Sequence, residues 1–151
     1  MKRILFLCHG NICRSPMAEF IFLHLCREAG VADDFEVASA AISTEEIGND
    51  IYPPAQRTLH AHGIPFEHRA ARQVTAADFD HYDYIICADR ANIRLLPYYT
   101  GIQPDNRHAQ LSLLMTWADK NRDVSNPWYT RDFETAYRDI YEGCEGLLSK
   151  L

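Results

Sequence analysis

The chain has 151 residues, of which 47% are hydrophobic and 24% charged, with a net charge of −6 at neutral pH. That length and composition predict a single domain over residues 1–151 with an ordinary core, and the acidic balance gives no general electrostatic pull toward nucleic acid or anionic lipid. No apolar run is long enough to span a bilayer, and five cysteines, odd in number and too sparse for a disulfide scaffold, predict free thiols in a reducing cytoplasm.

The first element is the apolar run "RILFLC" at 3–8, read as a buried strand. The stretch "MKRILFLCHG" lacks the longer apolar core and small-residue cleavage site of a secretory signal. A helix is expected after the loop, with Ser15 capping its first turn and Pro16 at its first position. Met17, Phe20, Ile21 and Leu25 form its apolar stripe, and Gly30 marks its end. "FEVASA" at 35–40 reads as a second strand, and 54–64 as a helix stopped by Gly63. "YDYIICA" at 82–88 reads as a third strand, followed by a helix that Pro97 terminates. A fourth strand is predicted near 109–114 and a final helix from about Asp132, where Phe133, Tyr137, Ile140, Cys144 and Leu147 share a face. The irregular stretch 115–131 is longer than a minimal connection and is a candidate functional loop. This alternation predicts an α/β fold, a parallel sheet with helices on both faces and ligands at the carboxyl ends of the strands.

Cys8 stands at such an end, opening "CHGNICRSP". On a strand-to-helix turn, the backbone N–H groups of His9, Gly10, Asn11, Ile12, Cys13 and Arg14 can converge while the positive end of the helix dipole faces the same point. Gly10 and Asn11 tolerate the left-handed angles such a loop needs, and the Arg14 fork can hold two phosphoryl oxygens. These surroundings are expected to lower the Cys8 pKa from about 8.5 toward roughly 3.5–7.5. The chemistry predicted is nucleophilic attack on phosphorus through a cysteinyl-phosphate, with no metal or other cofactor. Cys8, His9 and Cys13 lack the second close pair that a tetrahedral metal site requires. Cys13 either packs beneath the loop or pairs reversibly with Cys8, while Cys26, Cys87 and Cys144 read as core. Glu45 reads either as a residue of the opposite rim or as a solvated loop charge.

"FLCHGNICRSPMAE" resembles the phosphate loop and following helix of the low-molecular-weight protein tyrosine phosphatase family. "SAAISTEEIGN", "HGIPFEHRAAR", "FDHYDYIICAD" and "NPWYTRDFETAYRDIYEGCEGLL" extend the likeness over nearly the whole chain. The resemblance implies a three-layer fold around a four-stranded parallel sheet, Cys8 as nucleophile and Arg14 as phosphate clamp. It further implies that Ser15 bonds the thiolate, that Asn11, Ser39 and His68 brace the loop, and that Trp128 and Tyr129 wall a phosphotyrosine slot. Inorganic phosphate is then an expected inhibitor.

The family carries Asp-Pro on the long loop where this chain has Asn126-Pro127. An amide has no titratable proton, so a general-acid contribution of roughly 10²–10⁴ in rate is missing at the position where the resemblance puts catalysis. Feeble turnover of phosphotyrosine is expected, with a smaller loss on activated aryl phosphates, or a substrate-trapping protein. Asp123 is a remote substitute. The alternatives are an inactive relative that binds phosphotyrosine or other anions, and a protein arginine phosphatase, which tends to carry threonine where Ile12 stands. A further alternative is an arsenate reductase, whose relay would need a second cysteine near Cys87 where Arg94 stands.

Overall fold

The computed structural model describes residues 1–151. Four strands, β1 (Lys2–Cys8), β2 (Phe35–Ala41), β3 (Tyr84–Cys87) and β4 (Gln110–Leu113), form one parallel sheet in the order β2-β1-β3-β4. Six helices accompany it: α1 (Arg14–Glu28), α2 (Pro53–Ala61), α3 (Ala76–His81), α4 (Arg90–Thr100), the short α5 (Pro127–Thr130) and α6 (Phe133–Lys150). The α/β architecture is as predicted. Strand β1 shows why two helical layers are needed, because its residues divide between two cores by the two-residue pleat. Ile4, Phe6 and Cys8 pack on one side with Met17, Ile21 and Phe22 of α1 and with Ile140, Cys144 and Leu147 of α6. Leu5 and Leu7 pack on the other with Phe79 of α3 and Leu96 of α4.

The chain passes from β1 to β2 on one side and later to β3 on the other, so the order reverses between β1 and β3. A crevice opens outside the carboxyl ends at such a reversal. Cys8 ends β1, and Asp89 lies two residues past the end of β3.

Three local expectations are corrected. Ser15 does not cap α1: the helix begins at Arg14 with Cys13 at the N-cap position and no side-chain cap, and the Ser15 hydroxyl is turned toward Cys8. Pro16 accordingly lies in the first turn but not at the first position, where its missing N–H still breaks no helical bond. Pro97 does not terminate its helix. α4 starts on a reciprocal capping box between Asp89 and Asn92, buries Leu96, and continues to Gly101, whose φ of 74° ends it in the left-handed conformation. α3 has no apolar stripe to announce it, and its signal is the Thr75–Asp78 capping box.

Candidate active site

The loop between β1 and α1 turns its carbonyls outward. Cys8 O accepts from Ile42 N, His9 O from Ser43 N, and Ile12 O from Tyr52 N, at 3.1, 3.1 and 2.8 Å. Asn11 O accepts from Arg69 Nη2. With these oxygens satisfied from outside, no backbone N–H from His9 through Cys13 donates to another protein group. Amides left without partners away from water carry a desolvation cost unless an acceptor meets them, so this row of donors has the form of an anion cradle. Asn11 supplies the left-handed turn at φ 59°. Gly10 is not left-handed, contrary to expectation. A Cβ there would lie 3.2 Å from Glu46 Cγ, so the Glu46 side chain would have to give way slightly.

Cys8 Sγ stands 3.0 Å from Ser15 Oγ and accepts the Ser15 N–H at 3.3 Å. Ser15 Oγ accepts from Asn11 Nδ2 at 2.8 Å, which leaves its single proton free for the sulfur. Asn11 Nδ2 also donates to Ser39 Oγ at 3.0 Å, and Ser39 donates to Glu19 Oε1 at 2.6 Å. Burial pushes the Glu19 carboxyl up, opposed by the Ser39 hydrogen bond and by Arg69 and Arg72. His68 takes no part in this bracing. It is exposed, and its Nδ1 bonds Asp50 Oδ2 at 2.5 Å. Asp50 Oδ1 also accepts Arg69 N–H at 3.1 Å, and it is Arg69 whose side chain reaches the carbonyl of Asn11.

Arg14 is 4% exposed and held by two groups that sequence reasoning missed. Nη1 donates to Val124 O at 3.0 Å, and Nη2 pairs with Asp89 Oδ2 at 2.8 Å. Three of its five N–H groups remain for a ligand. The one available signal for Asp89 was its N-cap position directly after a strand. Val124 is itself placed by its N–H on Ala88 O at 3.0 Å, and Ser125 N–H donates to Asp139 Oδ2 at 2.9 Å, so the backbone leading to Asn126 is fixed on both sides. Asp123 turns away, accepting Arg90 N–H and pairing with its guanidinium at 3.1 Å.

A cavity of about 720 Å³ lies over the cradle, lined by Cys8, His9, Ile12, Arg14, Asn126 and Trp128 among others. Tyr129 and Glu45 are also in its wall, so Glu45 belongs to the rim. Trp128 is about half exposed, with its ring centroid 5.3 Å from that of Tyr52. Tyr129 is 82% exposed. Asn126 Oδ1 accepts Trp128 N–H at 3.1 Å and so caps α5. The size suits a phosphoryl group with an aromatic ring attached. Cys13 packs with Ile12 and Ala71, and burial first, then the charge of Cys8, pushes its thiol up to about 12. Cys87 is fully buried in β3 and its thiol is likewise raised by burial.

The profile of the family described as low molecular weight phosphotyrosine protein phosphatase matches residues 3–151. The low molecular weight phosphotyrosine protein phosphatase of Rattus norvegicus is 39% identical over 99% of this chain and 95% of its own. The low molecular weight protein-tyrosine-phosphatase YfkJ of Bacillus subtilis is 39% identical over the whole of this chain and 96% of its own, and its crystal structure superposes with a TM-score of 0.88. The crystal structure of DARP, a drosophila arginine phosphatase, is 30% identical with a TM-score of 0.88, covering 99% of this chain and 97% of that one.

Proposed function

Because the chain belongs to the low molecular weight phosphotyrosine protein phosphatase family, we propose that it hydrolyses aryl phosphate esters of protein tyrosine as one catalytic domain, through a cysteinyl-phosphate on Cys8. The observation that carries this reading is the row of partnerless loop amides beside a sulfur that receives the Ser15 N–H. Cys8 Sγ attacks phosphorus, the bond to the phenolic oxygen breaks, and the amides with Arg14 hold the three equatorial oxygens. Water then attacks the phosphoenzyme and frees inorganic phosphate, which competes for the same cradle. Trp128 and Tyr129 flank the ring, while Ser15, Asn11 and Ser39 keep the sulfur and loop in place.

Asn126 weakens the departure of the phenol. Its amide can donate a hydrogen bond to the leaving oxygen but cannot transfer a proton to it, so turnover on phosphotyrosine is slow relative to turnover on esters of more acidic phenols. Mixing the protein with such an activated ester and mass-measuring Cys8 in the first turnover tests the nucleophile. A stoichiometric phosphoenzyme is expected, and tight binding without one would make the chain a binding module. Asn126→Asp is expected to raise phosphotyrosine turnover, and no gain would remove the account of the missing acid.

A second reading, hydrolysis of phosphoarginine, is favoured by the likeness to DARP. Ile12 speaks for the aryl ester, since it lies in the cavity wall as a buried apolar side chain. Assaying both phosphoamino acids side by side separates the two.

A further inference from the structure

With an amide at position 126, the proton for the leaving group must come from elsewhere, and few groups lining the cavity can give one. Asp89 is held by Arg14 at 2.8 Å and accepts Asn92 N–H at 2.8 Å as the cap of α4. Glu46 is bonded by Asn49 Nδ2 at 2.6 Å, with its Cγ against Gly10. Cys13 is buried and its thiol raised, and Tyr99 and Tyr129 carry the same phenol that the substrate releases, so neither offers a driving force. There remain His9, next to the nucleophile in sequence and in the cavity wall, and Glu45, whose carboxylate is engaged by the His9 ring.

His9 is built into a dyad. Its Nε2 bonds Glu45 Oε2, while Nδ1 has no partner within the protein. Its ring meets the Tyr99 ring edge-on, with centroids 5.4 Å apart at 84°. The fully buried Ser43 ties both members down, donating its hydroxyl to His9 O at 2.9 Å and accepting Glu45 N–H at 3.4 Å. An imidazole of the cavity wall held by a carboxylate on one nitrogen and without a protein partner on the other is the arrangement used by acid–base histidines.

We propose that His9, oriented by Glu45, transfers the proton that Asn126 cannot. This rests on the phosphatase reading of Cys8. In the first step Cys8 Sγ bonds phosphorus, the P–O bond breaks, and the His9 imidazolium gives its Nδ1 proton to the departing phenolate, leaving phenol and neutral imidazole. In the second step the imidazole takes a proton from the attacking water, the P–S bond breaks, and thiolate, imidazolium and phosphate are formed. Glu45 is a positioning residue that fixes which nitrogen faces the substrate.

The test is a double-mutant cycle of His9→Gln and Asn126→Asp on a phosphotyrosine peptide and on an aryl phosphate with an acidic phenol. His9→Gln is expected to lower phosphotyrosine turnover roughly 10²-fold, the lower end of the general-acid range, and the activated ester much less. In the Asn126→Asp background the same change is expected to cost little, because the carboxyl now supplies the proton. Glu45→Gln should lower kcat on phosphotyrosine and leave KM unchanged. Equal losses in both backgrounds, or on both esters, overturn the proposal and reduce His9 to a wall of the pocket. Trapping the Cys8 phosphoenzyme separates the levels. Its formation alongside equal losses refutes the His9 assignment alone, and its absence from the unaltered protein refutes the phosphatase reading as well.

Discussion

The two sides of the cavity are built differently. The side proposed to hold the phosphoryl group is buried and cross-braced: Asn11, Arg14 and Ser15 are each under 5% exposed, and every one of their side chains is hydrogen-bonded or ion-paired. The side on which the proposed leaving group would sit is assembled from Trp128, Tyr129, His9 and Glu45, all half-exposed or more open and resting on a four-residue helix or a loop. Holding a phosphoryl anion requires donors fixed in advance, since reorganisation at the moment of reaction would erase their benefit. Delivering a proton to the leaving oxygen requires only one group within reach. The second task can therefore be reassigned by a point substitution at the rim, whereas the first cannot.

The largest expected effect breaks the buried side outright. Cys8→Ser should reduce turnover by about 10⁴-fold or more, since removal of a nucleophile leaves only binding and electrostatics, and no phosphoenzyme should be detected by mass spectrometry. Arg14→Lys comes next. A lysine keeps the charge but cannot reach Val124 O, Asp89 and a phosphoryl oxygen together, so a loss of roughly 10²–10³ in kcat is expected from steady-state kinetics. A lysine variant with kcat within a factor of a few of the parent would mean that the clamp is not pre-built.

Trp128→Ala probes the exposed side. Removing the aromatic wall should raise KM for an aryl phosphate about tenfold, in line with the stacking energy of one ring pair. Because the side chain is half exposed and its partner Tyr52 keeps its contact with Phe133, the melting temperature should hardly move. A large drop in stability would show the wall to be part of the core and would collapse the contrast between the two sides.

How much of this was legible in the chain follows the same division. β1, the loop and α1 are adjacent in sequence, so an apolar run, a Gly-Asn turn and an arginine were enough to bring Cys8, the loop amides and Arg14 to one place. Asp89, Val124 and Asp139 reach the site from 75 or more residues beyond Arg14, and neither periodicity nor spacing links them to it. Pro97 looks like a stop because a proline costs one helical bond, but a capped start and a buried Leu96 outweigh that cost. The bracing role expected of His68 rests on likeness alone. The residue that actually reaches the loop, Arg69, is its neighbour, and which of two adjacent side chains faces inward depends on Asp50, 19 residues away from Arg69.

The smallest effect expected lies behind the cradle and concerns stability. Arg72 donates its backbone N–H to Asn11 Oδ1 at 3.3 Å, and its guanidinium makes two bonds to Asp78, at 2.9 and 3.1 Å. Burial alone would raise the Asp78 carboxyl, but the Arg72 hydrogen bonds and the Thr75 N–H outweigh it and leave the group below its usual range. A carboxyl depressed by folding stabilises the fold above its unfolded value of about 3.9, and that stabilisation is lost as pH falls through this value toward the folded one. Asp78→Asn should therefore lower the melting temperature at pH 7. The gap between variant and parent should narrow on acidification below about pH 4, as the parent loses the same charge. Thr75→Ala removes the other half of the capping box and should cost about 1 kcal/mol by denaturant unfolding. Its deficit should persist at low pH to the extent that the hydroxyl cap, which has no charge to lose, carries it. A deficit in Asp78→Asn that stayed constant with pH would place the role of Asp78 in packing and would detach the Arg72 ion pair from the bracing of Asn11.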